Sequence, residues 1–132
     1  MPDINSTSTS SVLKTVSSLG VPHEVIKVYV ACVVLATTRL DVNKRVRKLM
    51  GVSKASFASA EEMNALTGME VGGVTPFSLP EGMPLYVDSR IMELDWVILG
   101  GGGRDRKLKI SPEVFYKIGA EFIEELALTI DL

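Results

Sequence analysis

The chain has 132 residues, 46% of them hydrophobic, which suits a single globular domain with a sizeable core. Fourteen Lys and Arg against sixteen Asp and Glu leave a net charge of −2, which excludes a protein that coats nucleic acid by bulk charge. The lone cysteine, Cys32, excludes an intramolecular disulfide and points to a reducing, cytoplasmic setting. With no leader-like start and no apolar run of bilayer length, no membrane association is expected.

Residues 1–10, rich in Ser and Thr, are expected to be a flexible N-terminus, and residues 11–132 a single domain. Ser10 to Leu19 reads as a helix with Val12, Leu13, Val16 and Leu19 on one face and Gly20 as its stop. Val25 to Ala36 is β-branched and apolar, one long strand or two short ones, with the only histidine, His23, at its mouth. Asp41 can cap a helix that turns Val42, Val46, Leu49 and Met50 inward and ends at Gly51.

Lys54 to Ala58 predicts a short strand, and Ser59 to Glu62 has the Ser-x-x-Glu spacing of a capping box for a helix that buries Met63 and Leu66 and stops at Gly68. An uncharged loop, "VGGVTPFSLP" over residues 71–80, comes next; its glycines and prolines suit either a wide turn or a backbone wall against which a ligand lies. Met83 to Val87 predicts a strand, Ser89 to Leu94 a turn or short helix, and Asp95 to Leu99 a buried strand. Arg106 to Ile110 alternates charged and apolar residues as a half-exposed strand does, so Gly100 to Gly103 joins a hairpin. Ser111 and Pro112 start a final helix whose spacing runs through Phe115, Ile118, Phe122 and Leu126.

Chemical motifs are sparse. The four glycines at 100–103 lie between two predicted strands, whereas a dinucleotide fingerprint or a P-loop needs them between a strand and a helix. One His and one Cys separated by a strand make no nucleophile–base pair, and no metal-ligand spacing is present, so neither a metal nor a cofactor is expected. Basic residues gather in two groups: Arg39, Lys44, Arg45, Arg47, Lys48 and Lys54, then Arg104, Arg106, Lys107 and Lys109. A local phosphate-binding face is compatible with that clustering.

Four segments in this order, "RLDVNK" (39–44), "TGMEVGGVTP" (67–76), "LYVDS" (85–89) and "VILGGG" (97–102), resemble the YbaK / prolyl-tRNA-synthetase-associated domain family. The ordered set covers most of the chain and is far more specific than any one piece. Members are aminoacyl-tRNA deacylases, free-standing or inserted in a synthetase, with an α/β (α+β) fold in which a mixed β-sheet curls into a barrel-like shape with helices around it. The resemblance implies that Gly72, Gly73, Val74, Thr75 and Pro76 line the aminoacyl pocket with backbone and that Gly100, Gly101 and Gly102 lie opposite. Asp88, the one carboxylate expected at a strand end in place of a solvated helix face, is added as a substrate-binding candidate. The resemblance also implies a mischarged aminoacyl-tRNA as partner, with an aminoacyl-tRNA synthetase as a second one. The charge cluster Lys44, Arg45, Arg47 and Lys48 is then expected to bind tRNA phosphate, the alternative being a solvated basic helix face. An ester needs no dedicated triad: positioned amides, an ordered water and the substrate's ribose hydroxyl suffice.

In one respect the chain departs from the family pattern. Typical members carry a further helix and a strand start bearing a lysine important for deacylation, whereas here the chain runs straight across near residues 27–30. The catalytic residue is therefore left unassigned, with Lys27 the first candidate for a substitute. Two functions follow as expectations: a deacylase that edits mischarged tRNA, or a catalytically impaired tRNA-binding or protein-interaction module of the same fold.

Overall fold

A computed structural model describes residues 7–23, 27–70 and 72–130, with side chains from residue 11 onward. Residues 1–6, the expected strand start at Val25 and Val71 of the loop lie outside the described residues.

The chain has a mixed α/β fold. Among the described residues seven short strands run β1 (Ala31–Val33), β2 (Thr38–Leu40), β3 (Leu85–Asp88), β4 (Val97–Gly100), β5 (Lys107–Ile110), β6 (Glu121–Ile123) and β7 (Ala127–Thr129). Four α-helices, α1 (Thr7–Ser18), α2 (Arg47–Met50), α3 (Ala60–Thr67) and α4 (Val114–Lys117), are interspersed with them. The strands fall into three sheets among the described residues: parallel β1-β3-β6, antiparallel β2-β7, and the antiparallel hairpin β4-β5. No closed barrel is found among them.

Strand β3 organises the core, because every one of its residues is buried. Two-residue alternation sends Leu85 and Val87 to one side, against Phe115, Ile91 and Val97, with Ala31, Val33 and Phe122 of the flanking strands on the same side. Tyr86 goes to the other side, against Val46 and Leu126, joined there by Cys32 and Ile123. A strand apolar on both faces is what a covered parallel sheet requires. Burial pushes the Cys32 thiol up to about 11, so it packs as a small hydrophobe.

Several elements match their sequence signals. Asp41 Oδ1 accepts the Lys44 amide at 3.2 Å, capping a helical segment whose first five residues, Val42–Val46, are wound as a π-turn before α2. Ser59 and Glu62 form the capping box of α3. The glycine run joins a β4-β5 hairpin as expected.

Other elements differ. Helix α1 starts at Thr7, and of its expected apolar face Leu13 and Val16 are half-buried while Val12 and Leu19 are 59% and 68% exposed. Of Val25–Ala36 only Ala31–Val33 is ladder-paired among the described residues, and Lys54–Ala58 yields a single bridge at Ala55 in place of a strand. In β4 Val97 faces in while Ile98 is exposed, so that strand is half-buried.

The largest correction concerns the C-terminus, where α4 stops after four residues at Gly119, whose φ of +75° is left-handed, and two strands replace the expected helix. Phe122 and Leu126 are helically spaced, but pairing with distant β3 and β2 decides their state: Phe122 sits opposite Val87, and Ala127, next to Leu126, opposite Leu40.

Asp88 ties β7 to the core. Its carboxylate is fully buried; Oδ1 accepts the Arg90 amide and Nε at 3.0 Å, and Oδ2 accepts Arg90 Nη2 at 2.6 Å and the Ala127 amide at 3.1 Å. Arg90 Nη2 also donates to the Ala127 carbonyl at 2.6 Å. Burial alone would raise the Asp88 pKa, yet hydrogen bonds from Arg90 and the Ala127 amide hold it below the usual carboxylate range. Its contribution is therefore complete above the ordinary Asp pKa and lost as pH falls through the lowered one. Asp88→Ala should destabilise the fold by about 3 kcal/mol, near the lower end for breaking a buried pair since Arg90 keeps some contact with water. A urea midpoint unchanged from the parent would contradict it.

Candidate functional site

The loop at 72–76 and the glycine hairpin meet backbone to backbone. A Cβ on Gly73 would lie 2.8 Å from the Gly103 carbonyl carbon, and one on Gly100 would lie 1.9 Å from the Val74 carbonyl oxygen. Only hydrogen fits at either place. Gly102 donates its amide to the Gly73 carbonyl at 2.9 Å, and Lys107 Nζ crosses from β5 to the Gly72 carbonyl at 2.7 Å. The two glycine segments predicted to lie opposite one another are thus in contact. Gly73 has its bare face against the hairpin, so a valine there would push the two loops apart before it reached any ligand, and the fold would not be left intact around it.

Thr75 is the residue that this contact leaves exposed to chemistry. It is 6% exposed, and among the described residues its Oγ1 is a buried side-chain oxygen without a hydrogen-bond partner. Its amide points at the Met69 thioether, 3.4 Å away, which is a weak acceptor. An unpaired buried hydroxyl costs about 1–3 kcal/mol, so its persistence is a signal of a site.

Thr75 borders two clefts. One, of about 280 Å³, is apolar and lined by Ala31, Cys32 and Val33 of β1 with Val74, Leu79 and Leu99. The other, of about 240 Å³, lies between Phe77, Gly100, Gly101 and Lys107. A third apolar cleft of about 300 Å³ shares Ala31, Cys32, Val74 and Leu79 and extends to Met63 and Leu66 of α3, which explains why those two side chains are only half-buried. At its edge Tyr29 Oη donates to Glu62 Oε2 at 2.6 Å, and Lys27 Nζ lies 3.3 Å from the same oxygen. The Tyr29 hydrogen bond, then the Ser59 amide and Lys27, lower the Glu62 pKa to about 2.

The remaining expected site residues separate. Pro76 opens a short 3-10 turn, Pro76–Ser78. Asp88 lines none of these clefts and has both oxygens engaged by Arg90 and β7. Lys44, Arg45 and Lys48 share a cleft of about 540 Å³ with Arg90, but Asp41, Glu124 and Glu125 line it too. Arg45 Nε donates to the Glu124 carbonyl at 3.2 Å. Arg47 lies apart, donating to the Asn43 carbonyl at 2.9 Å and lining a different cleft near Ser53 and Ala55. Sequence reasoning missed the β1 side chains and Leu79 as cleft walls and Lys107 as the tie to the loop, since all three depend on contacts between segments far apart in the chain.

Residues 3–118 match the family described as the aminoacyl-tRNA editing domain. The chain belongs to that family. It is 30% identical over 106 residues to "Uncharacterized protein YwhH" of Bacillus subtilis (strain 168), covering 80% of this chain and 64% of that one. It is 24% identical over 89 residues to the "Putative Cys-tRNA(Pro)/Cys-tRNA(Cys) deacylase EbsC" of Enterococcus faecalis (strain ATCC 700802 / V583), covering 67% of this chain and 54% of that one. The chain thus spans less than two thirds of either relative. A solved structure described as "a putative trans-editing enzyme for prolyl tRNA synthetase" superposes with a TM-score of 0.63 at 25% identity, over 96% of this chain and 83% of that one. The resemblance to the YbaK-type editing family is borne out, and the mixed α/β arrangement with several small sheets is shared with that structure.

The loop contact yields a prediction. Gly100→Ala should cost about 1–3 kcal/mol, the range for overpacking, because the clash is with backbone that cannot rotate away. Thermal unfolding checks it, and a melting temperature equal to the parent's would mean the two loops are not in contact.

Proposed function

We propose that this domain is an aminoacyl-tRNA deacylase that hydrolyses the ester of mischarged tRNA in the cytoplasm. Family membership supports the class of reaction, and one observation carries the reading to a place: a buried Thr75 whose hydroxyl is unpaired and whose amide has only a thioether partner. Aligned donors of this kind are what an ester carbonyl needs as negative charge develops on its oxygen. Thr75 would hold that oxygen in the cleft bordered by Phe77, Gly100, Gly101 and Lys107, where the Gly72–Pro76 loop and the glycine turn meet. The apolar cleft beside β1 would take the aminoacyl side chain. Water would attack the ester carbonyl, the tetrahedral intermediate would release the ribose oxygen, and a proton from solvent or the neighbouring ribose hydroxyl would complete the leaving alcohol. The three sheets together would make the curled, barrel-like wall expected of the family, and Lys44, Arg45 and Lys48 would contact phosphate of the tRNA body.

The second reading, a tRNA-binding or protein-interaction module without turnover, draws on Lys27. Its ammonium is paired with Glu62 at the edge of the cleft, so the first candidate for the missing family lysine is already held by a carboxylate. On that basis the rate should be low compared with a form in which the helix-strand segment is restored.

The experiment is deacylation of a panel of mischarged tRNAs by the parent, Thr75→Ser and Thr75→Val. Thr75→Val keeps the shape and removes the hydroxyl, and should lower kcat by about 10²-fold, the usual effect of deleting one such donor, while Thr75→Ser retains most of the rate. Equal rates for all three would remove Thr75 from the mechanism. If tRNA binds and none of the three proteins turns it over, the module reading replaces the enzyme.

A further inference from the structure

Beyond Gly100 and Lys107, the outer face of the β4-β5 hairpin has no part in the site as described, and it carries large exposed side chains. Trp96 is 58% exposed and Ile98 70% exposed. The register sets Ile98 opposite Lys109 and Gly100 opposite Lys107, while Val97 and Leu99 alternate with them, Val97 buried and Leu99 packed on the core. Lys109 Nζ lies over the Trp96 ring at 5.3 Å from its centroid. A large indole, a branched aliphatic side chain and two lysines thus share one face on a chain whose net charge is −2.

We propose that this face is a platform for the single-stranded 3′ end of an RNA, with a base stacked on Trp96 and phosphates beside Lys109 and Lys107. It rests on the deacylase reading for the identity of the strand and deepens it by saying where the strand runs. Sequence-tolerant binding of single strands combines an aromatic surface with flanking cations, and both are present here. The two cations are spaced along the face, Lys109 at the Trp96 end and Lys107 opposite Gly100 at the glycine turn, and the exposed indole is left to a base. From Trp96 to Gly100 an extended strand spans about 13 Å. At the far end Lys107 meets the Gly72 carbonyl, and with Gly100 it borders the cleft that contains Thr75. A strand laid along this face would deliver its terminal ribose to the place proposed for ester hydrolysis.

Trp96 is the only tryptophan, so its fluorescence reports on the platform directly. The parent is titrated with an uncharged, unaminoacylated RNA hexamer ending in CCA, and binding is followed in parallel by anisotropy of a 5′-labelled hexamer. We expect saturable quenching of Trp96, about tenfold weaker binding for Trp96→Ala, and near-parental binding for Trp96→Phe. Lys109→Gln should reduce the slope of log affinity against log salt by about 0.7, one phosphate on a single strand. Binding without quenching, or with Trp96→Ala equal to the parent, would overturn the proposal. So would absence of binding, including the case in which sedimentation shows self-association that Trp96→Ala abolishes, which would make the face a protein interface. Hydrolysis of mischarged tRNA with KM unchanged in Trp96→Ala would sink the platform and leave the deacylase standing. Quenching by the hexamer in a protein that hydrolyses nothing would do the reverse.

Discussion

Two stretches of backbone pressed together with no side chain between them set the geometry of this domain's candidate site. The Gly73–Val74 segment and the Gly100–Gly103 turn approach so closely that a single methyl group would collide with a carbonyl. Because both partners are main chain, the contact has little room to relax, and it fixes the loop at 72–76 to the β4-β5 hairpin. The hairpin in turn packs through Val97, Leu99 and Ile110 on the core built around β3 and Phe115. A loop that reads in sequence as mere punctuation is thereby tied to the core through the hairpin.

That contact bears on Thr75 Oγ1, the buried side-chain oxygen left without a partner among the described residues. Thr75 is buried by the loop's own attachment, and its hydroxyl and amide are held beside clefts whose walls come from β1, Leu79 and the hairpin. Among the described residues no charged side chain lines the apolar cleft along β1, which suits it to an uncharged group. Positioning in place of strong acid–base chemistry is sufficient for an ester, where the bond is weak and the substrate supplies hydroxyl groups of its own.

Much of this was legible in the residues, and the remainder was hidden for identifiable reasons. Local signals worked: the Ser59 capping box, the Asp41 cap and the hairpin through Gly100–Gly103 all rest on contacts a few residues apart. Family resemblance put the two glycine segments opposite one another, and their direct backbone contact joins stretches distant in the chain. Signals failed where distant pairing decided the outcome, most plainly at Phe122 and Leu126, whose helical spacing gave way to strands beside β3 and β2. Asp88 was readable as a special carboxylate at a strand end, but its partner Ala127 is 39 residues away, so an anchor could not be told from a ligand contact. The basic cluster at 44–48 divided for a similar reason, since Arg47 leaves the helix on another side and acidic residues from the C-terminal turn enter the cleft of the others.

In the reading proposed above, an aminoacylated terminal nucleoside sits in the cleft bordered by Thr75, Phe77, Gly100, Gly101 and Lys107, where the 72–76 loop and the glycine turn meet. The most direct test of that reading is amide chemical-shift mapping of the chain titrated with a non-hydrolysable 3′-aminoacylamido-adenosine, which carries the terminal group and no tRNA body. The account predicts that the largest shifts fall on the Thr75 amide and its neighbours at 72–74 and 100–102, with β1 residues 31–33 next. Shifts centred on Lys44, Arg45 and Lys48, with the Thr75 amide unmoved at saturation, would contradict it.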